Sequence, residues 1–423
     1  MKVAAVIAEY NPFHFGHAWQ LQEIKRIYNI DICIVIMSGN YVQRGAPAIV
    51  DKFTRTKWAL QYGADIVFEL PSIFATAGAE QFAYGACMLL DKLGLIDILC
   101  FGSEFTDCNF IEKTAAFLLN PPSAYENHLK KLLQKGKSYA AAREEAFYPF
   151  LVKEVDFQKL TQEQFHTIFS APNTILGIEY CKALKKRNSL IRPVPLLRNG
   201  NYHSTSLLEQ KTVTLKENND SPSISASAIR NHLFSHFNSL EPLYSFLPQT
   251  IFSDLSSLTF LHEDDFSLCL YYALLGKNAN ILEKYYEISP DLAQRILHYF
   301  PQFQNFSSFT ECLKTKNYAH ARIRRALLHI LLSIQKEDPF LDCCFLRLLG
   351  LKKESSYFLR KIKEQTKLTI ITKPSSYQKL LSGQDLFIFS KEITASQLYG
   401  FLSYKKAKIT KPYRELATSP IIL

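Results

Sequence analysis

The feature that most constrains this chain is the alternation filling its first 105 or so residues, where short apolar runs take turns with amphipathic stretches. Val3 to Ala8 reads as a strand and Gly16 to Tyr28 as a helix, followed by a strand over Asp31 to Met37 and a helix over Lys52 to Gln61. A strand over Asp65 to Leu70, a helix over Ala79 to Leu93 and a strand over Asp97 to Phe101 continue the series. The strand runs are continuously apolar, as in Ile32-Cys33-Ile34-Val35-Ile36. A strand without a polar face needs helices on both sides. The expected fold class is α/β, a Rossmann-like, doubly wound parallel sheet.

The pattern then changes. Residues 109–150 look helical, with Pro121-Pro122 between two helices, and a helical insertion is expected over about 109–165. Asn173 to Lys186 reads as a helix and Ser189 to Pro195 as a fifth strand, before a polar, irregular stretch from Arg198 to Ser223. From about Asn231 helix follows helix, with little strand signal until Leu368-Thr369-Ile370-Ile371. At 423 residues the chain exceeds the size at which one core stops growing. Two domains are expected, 1–235 built on the sheet and 236–423 mainly α-helical.

Few partner classes survive the composition. No run of about 18 uncharged apolar residues is present, which argues against a membrane span. The apolar N-terminal run is cut short by Glu9 and Asn11-Pro12, so it reads as a buried first strand rather than a signal core, and a cytoplasmic location is expected. Nine cysteines include no C-x-x-C pair, and neither a zinc site nor a disulfide framework is expected. The formal charge of +10 is unevenly spread: Glu311 to Leu423 carries 21 Lys+Arg against 9 Asp+Glu, leaving the first 310 residues at −2. A basic C-terminal third suits a polyanion, although a solvated basic surface would have the same composition.

The sharpest local signal is Glu9-Tyr10-Asn11-Pro12-Phe13-His14-Phe15-Gly16-His17, where the first strand gives way to the first helix. Ligands of open α/β sheets bind outside the carboxyl ends of strands. Two histidines three apart at a helix N-terminus can face one anion, helped by free backbone N–H groups and the helix dipole. Gly16 leaves room for a phosphate or ring against the backbone. Neither G-x-x-x-x-G-K-[ST] nor a first-turn G-x-G-x-x-G occurs, which disfavours P-loop kinases and dinucleotide dehydrogenases. A second segment, Ser223-Ile224-Ser225-Ala226-Ser227-Ala228-Ile229-Arg230, combines a capped helix start with an arginine able to reach a phosphate.

The first motif resembles the "HIGH" signature of the nucleotidyltransferase superfamily, and the second resembles its late Ser/Thr-and-Arg signature. By that resemblance His14, His17, Ser227 and Arg230 are the catalytic candidates, on a HUP-type sheet. Longer stretches are similar to the bacterial tRNA(Met) cytidine acetate ligase family: Gln43 to Ile49, Asp51-Lys52, Gly63 to Asp65, Glu69 to Pro71, Ala79-Glu80 and Cys100 to Glu104. Pro172 to Tyr180, Tyr202-His203 and Tyr318 to Arg325 complete the likeness, which spans the chain.

The resemblance implies a two-step reaction. ATP and acetate give acetyl-adenylate and pyrophosphate; N4 of the wobble cytidine (C34) of elongator tRNA(Met) then takes the acetyl group, giving N4-acetylcytidine and AMP. It places ATP on Ile7, Ala8, Glu9, Tyr10, Asn11, Pro12, Phe13, His14, Phe15, Gly16, His17, Ala18, Trp19 and Gln20, and on Gly102, Asn173 and Arg198, with Arg192 as the competitor of Arg198. Two departures from the family pattern are Phe15, where a shorter polar residue is expected, and Ala46, where an acidic one is. Magnesium would enter as a partner of ATP, since no carboxylate cluster marks a protein-built metal site.

For the RNA, a helical wheel over Tyr318 to Lys336 gathers Ile323, Leu327, Ile330, Leu331 and Ile334 on one face and Tyr318, Arg322, Arg325, His329 and Lys336 on another. The second face is expected to meet a phosphate backbone and a stacked base. Lys405, Lys406, Lys408, Lys411 and Arg414 add a basic tail. Two other readings remain open: a small-metabolite adenylyltransferase and a non-catalytic RNA-binding protein on the same scaffold.

Overall fold

The computed structural model describes residues 1–423 apart from 138, 154–156, 158–159, 199–223, 236–238, 317, 340–341 and 408–413. Expectations placed on Tyr202, His203, Ser223, Lys408 and Lys411 lie outside the described residues. Seven strands come from the first half of the chain: β1 (Val3–Ala8), β2 (Ile32–Ser38), β3 (Tyr41–Val42), β4 (Ala46–Pro47), β5 (Ile66–Leu70), β6 (Ile98–Ser103) and β7 (Arg192–Leu197). The C-terminal part supplies β8 (Phe345–Leu351), β9 (Thr369–Ile371) and β10 (Ile421–Ile422). β3 and β4 form a small antiparallel hairpin; the others form one eight-stranded sheet in the order β10-β8-β5-β2-β1-β6-β7, with β9 beside β8.

The apolar runs explain the layers. Along β2, Ile32, Ile34 and Ile36 enter one core while Cys33, Val35 and Met37 enter another, so each face of the strand is covered. β1 pairs parallel with β2 on one side and with β6 on the other, Val6 lying opposite both Val35 and Cys100. The chain lays β2 and β5 to one side of β1 and then crosses back to place β6 on the other. That reversal opens a crevice outside the carboxyl ends of β1 and β6.

Two strand expectations shift. The fourth strand extends to Ser103, and the fifth runs from Arg192 to Leu197 rather than from Ser189 to Pro195. The region expected as an insertion holds the helices Cys108–Leu119, Ser123–Gln134, Tyr139–Leu151 and Gln162–Ser170.

The larger difference lies in 236–423, expected as a mainly helical unit. Helices dominate from Gln249–Leu255 to His320–Leu331, but β8, β9 and β10 then join the first sheet. β8 runs antiparallel to β5, placing Arg347 opposite Glu69. Its sequence, Phe-Leu-Arg-Leu-Leu-Gly-Leu, is fully buried yet lacks β-branched residues and carries an arginine, which hides its strand character. Gly350 shows how tightly the addition packs: a Cβ there would lie 2.8 Å from Thr56 Cγ2 and 2.9 Å from the Ile421 carbonyl oxygen. No helix among the described residues is long and apolar enough to cross a membrane.

Candidate active site

The segment after β1 is held rigid by its neighbours. Ile7 and Ala8 end the strand, half-buried. The Glu9 carboxylate accepts from Gln43 N at 2.8 Å, and the Asn11 side-chain oxygen accepts from Ile49 N at 2.8 Å. Arg55, fully buried, donates to the Glu9 carbonyl at 2.6 Å and to the Ser38 carbonyl at 3.1 Å. Tyr10 turns the chain with a φ of 50° and packs its ring 4.8 Å from that of Phe13. Pro12 and Ala18 are buried, Phe15 and Gln20 half-buried, and Trp19 exposed.

His14 is the N-cap of helix Phe15–Tyr28, and its side chain accepts from Gly16 N at 3.1 Å. The His17 Nδ1 in turn accepts from His14 N at 3.3 Å. The two imidazoles stack with centroids 3.8 Å apart. With both Nδ1 atoms accepting, each neutral ring carries its proton on Nε2. Both rings stay neutral: burial, then the Arg198 and Arg230 cations, pushes His14 down to about 3. Burial, then His14 and Arg198, holds His17 well below its ordinary value. The His14 Nε2 is buried without a hydrogen-bond partner among the described residues. Such a donor suits an anionic oxygen. One expectation needs correcting: the backbone N–H groups here are not all free, because Gly16 N and His17 N are taken by His14. Gly16 also makes room for the stack, since a Cβ would lie 2.9 Å from His14 Cε1.

Around this pair one cavity of about 850 Å³ opens, lined by His14, His17, Gly102, Asn173, Arg198, Ser227 and Arg230 among others. Ser225 caps helix Ala226–Ser235 by accepting from Ala228 N at 3.1 Å. Ser227 Oγ accepts from Arg44 Nη1 at 3.2 Å and from Arg230 Nη2 at 2.9 Å. Arg230 Nη1 donates to the Asn11 carbonyl at 2.6 Å, tying the two motifs together. Burial and the neighbouring Arg44 bring Arg230 down to about 10, which leaves it cationic at neutral pH. Gly102 gives Arg198 its path, because a Cβ there would sit 2.9 Å from Arg198 Cγ and Cδ. Arg192 does not reach the cavity; it begins β7 at the opposite end of the sheet, 5.7 Å over the Tyr28 ring.

Several lining residues belong to no catalytic motif of their own, although Glu104, Arg44 and Arg324 lie in stretches of the family likeness. Glu104 accepts from Asn173 Nδ2 at 2.6 Å and from Thr174 N at 2.9 Å, fixing the start of helix Pro172–Lys186. Arg44 comes from the β3–β4 hairpin, whose Gly45 (φ 76°) presses on helix His320–Leu331: a Cβ there would lie 2.3 Å from Arg325 N. Phe234, His262, Glu263 and Arg324 line the cavity from the later part of the chain. They are scattered in sequence, and only the fold collects them.

The basic face expected over Tyr318 to Lys336 is corrected. His329 is fully buried, with Nε2 3.0 Å from the Thr76 carbonyl and Nδ1 3.1 Å from the Tyr286 carbonyl. Arg325 turns into the cavity wall and donates through Nε to both Glu287 oxygens at 2.9 Å. Tyr318 is buried against Ser289, with Arg322 4.9 Å over its ring. The helix ends at Leu331, so Lys336 lies beyond it. In the tail, Lys406 pairs with Asp265 at 2.7 Å, Lys405 lies 5.7 Å over Phe401, and Arg414 is exposed. Among the described residues no group of three or more His, Cys, Asp or Glu is arranged to hold a metal.

Known proteins resemble this chain along its whole length. A family model described as "HIGH Nucleotidyl Transferase" matches residues 1–413. The tRNA(Met) cytidine acetate ligase of Thermoanaerobacter sp. (strain X514) is 37% identical over 97% of both chains. That of Clostridium perfringens (strain SM101 / Type A) is 34% identical over the whole of both. The chain belongs to the tRNA(Met) cytidine acetate ligase family. A crystal structure of Thermotoga maritima TmcAL bound with alpha-thio ATP covers all of this chain with a TM-score of 0.86 at 30% identity, and the apo form gives 0.87.

Proposed function

We propose that this chain activates acetate with ATP and transfers the acetyl group to N4 of the wobble cytidine, C34, of elongator tRNA(Met). The observation that carries the reading is the stacked pair His14 and His17, neutral, with their Nε2 donors beside Arg198 and Arg230 in the crevice outside β1 and β6. In the first step an acetate oxygen attacks the α-phosphorus of ATP. A new C(=O)–O–P link forms, and pyrophosphate leaves with the electrons of the broken P–O bond. His14 and His17 donate to phosphate oxygens whose charge grows in that transition state, and Arg230, with Ser227, serves the leaving pyrophosphate. Gly102 and Asn173 border the nucleoside, and Arg198 neutralises phosphate from the opposite side. In the second step N4 attacks the acetyl carbon, N4-acetylcytidine forms and AMP departs. Magnesium belongs to this reading only as a partner of the triphosphate.

The relatives' names and the adenine-nucleotide complex of the Thermotoga maritima protein support both substrates. Residues 1–235 supply most of the adenylation wall. Residues 236–423, with 21 Lys+Arg against 9 Asp+Glu from Glu311 onward, are assigned to the RNA. The test is pyrophosphate release from ATP with and without acetate and unmodified elongator tRNA(Met), followed by mass analysis of the tRNA nucleosides. Acetate-dependent release together with a new acetylcytidine is the expected result. Release without acetate dependence overturns the reading in favour of a metabolite adenylyltransferase, and no release at all favours a non-catalytic RNA-binding protein.

A further inference from the structure

The cavity has a second wall that adenylation leaves unused. Phe234, at the end of helix Ala226–Ser235, is 37% exposed, an unusual cost for a phenylalanine facing a cavity. The His262 ring meets it edge-on, with centroids 4.7 Å apart and an interplanar angle of 76°. Beside them Glu263 is almost fully buried, with Oε1 at an ion-pair distance of 2.6 Å from Arg324 Nη2 yet without a hydrogen-bond partner among the described residues. His262 Nε2 stands 3.9 Å from Glu263 Oε2, beyond hydrogen-bond reach, and His262 Nδ1 is occupied by Asp264 N at 3.2 Å. An exposed aromatic face and a fixed carboxylate therefore open on the same cavity as the histidine pair.

We propose that Phe234, His262 and Glu263 form the subsite for the acceptor base, a cytosine extruded from an RNA loop; this rests on the acetyl-transfer reading above. A base that leaves its stack needs an aromatic surface to replace it, which Phe234 supplies. Cytosine differs from uracil at position 4 by an amine donor in place of a carbonyl acceptor, and a carboxylate is the side chain that accepts from that amine. A carboxylate has about four lone-pair sites, so the pairing with Arg324 leaves capacity for an N4–H. Arg324 sets the orientation of the carboxylate and is a positioning residue. When N4 attacks the acetyl carbon, the C–N bond forms and the acyl C–O bond breaks, AMP leaving with those electrons. Glu263 takes the proton that N4 loses. Uracil, presenting O4 to the same carboxylate, is repelled.

The test separates the two half-reactions in the full-length enzyme with Phe234→Ala, Phe234→Trp and Glu263→Gln. Acetate-dependent exchange of pyrophosphate into ATP without tRNA reads adenylation alone. Single-turnover transfer from preformed acetyl-adenylate to tRNA reads the proposed subsite. Exchange is expected at the wild-type rate in all three variants. Transfer is expected to fall roughly ten- to hundredfold in Phe234→Ala and to return in Phe234→Trp. In Glu263→Gln it is expected to fall about a hundredfold or more. A tRNA with U34 in place of C34, used as competitor, is expected to bind Glu263→Gln roughly tenfold more tightly than it binds the wild type. That gain is a result a merely structural glutamate would not produce. Wild-type transfer in both Phe234→Ala and Glu263→Gln, or loss of exchange in step with transfer, overturns the subsite. Failure of the wild type to show acetate-dependent exchange overturns the underlying reading instead.

Discussion

Two groups of charged side chains lie toward the same end of the sheet, one buried and one opening on the cavity, and their difference separates what holds the fold from what the fold is for. Around β5 and β8, Lys52 Nζ donates to Glu69 at 2.5 Å, Glu415 at 2.9 Å and Ser396 at 3.1 Å, while Arg347 pairs with Glu69 and Glu415. Glu392 accepts from Ser72 N at 2.6 Å and Ser72 Oγ at 3.0 Å, and burial, then Glu69, raises it to about 7. With Glu392 protonated, two cations face two carboxylates among the described residues, and these four charges balance. Around β1 and β6, by contrast, Arg44, Arg198, Arg230 and Arg324 face one cavity that Glu9, Glu104 and Glu263 also line, together with an imidazole donor that has no partner among the described residues. A buried group that balances itself is structural, whereas arginines gathered around an open cavity beside an unpartnered donor are complementary to an anion.

The largest expected effect would break the comparison on the structural side. Lys52→Met leaves Glu69 and Glu415 without their shared ammonium, and removing one member of a buried ion group costs about 3–5 kcal/mol. Urea unfolding should show that loss, while pyrophosphate exchange per folded molecule stays near the wild-type rate. A stable variant with lost exchange would mean that the balanced group, too, serves the chemistry.

The next effect is the converse. His17→Ala removes a phosphate donor and should lower acetate-dependent exchange by roughly 10²–10³-fold, the usual consequence of losing one preorganised donor. It gives up one capping hydrogen bond, so unfolding should register only about 1 kcal/mol. A loss of stability larger than the loss of activity would make the histidines a structural cap.

The two groups were unequally legible in the sequence. The cationic one announces itself, because chemistry needs particular residues at particular spacings: His14 and His17 follow the first strand, and Ser227 and Arg230 share a helix start. The balanced one needs only matching charges, which can come from anywhere: Lys52, Glu69, Arg347, Glu392 and Glu415 are drawn from the whole chain. The same holds for strands. β1 and β2 are legible because both their faces are apolar, and β5 because the β-branched and aromatic run Ile66-Val67-Phe68 precedes its one charge, Glu69, whereas β8 has no β-branched residue to offset Arg347. The expected RNA-facing stripe loses Tyr318 and His329 for a related reason: a helical wheel reports which residues share a face, not what packs there, and His329 is capped by the Thr76 and Tyr286 carbonyls while Lys336 stays exposed.

A smaller effect tests the hinge between the two walls of the cavity. Gly45 has a φ of 76° and would place a Cβ 2.5 Å from the Arg324 carbonyl carbon. Gly45→Ala therefore combines left-handed strain with overpacking against backbone, worth about 1–3 kcal/mol. Because the hairpin carries Arg44 and the helix carries Arg324, acetyl transfer should fall more than exchange does. Equal loss of the two rates, measured alongside denaturant unfolding, would show that the walls act as one.

The smallest effect sharpens the comparison through pH. Glu392 ionises more readily in the unfolded chain, near 4.5, than in the folded one, where burial and Glu69 raise it to about 7. Between those values the folded state binds more protons, so its stability declines as pH rises through that window and is greatest below it. The slope contributed by one such group is at most about 1.4 kcal/mol per pH unit. Lys52, brought down to about 8 mainly by burial and by Arg347, begins to release its proton only above that window, so the two effects separate on the pH axis. Glu392→Gln keeps an acceptor for Ser72 and abolishes the titration, and should flatten the stability profile between pH 5 and 7 while leaving exchange unchanged at pH 7. An unflattened profile would mean that Glu392 is already ionised in the folded protein. The group would then carry an uncompensated negative charge, and the contrast with the cationic cavity would be one of sign rather than of balance.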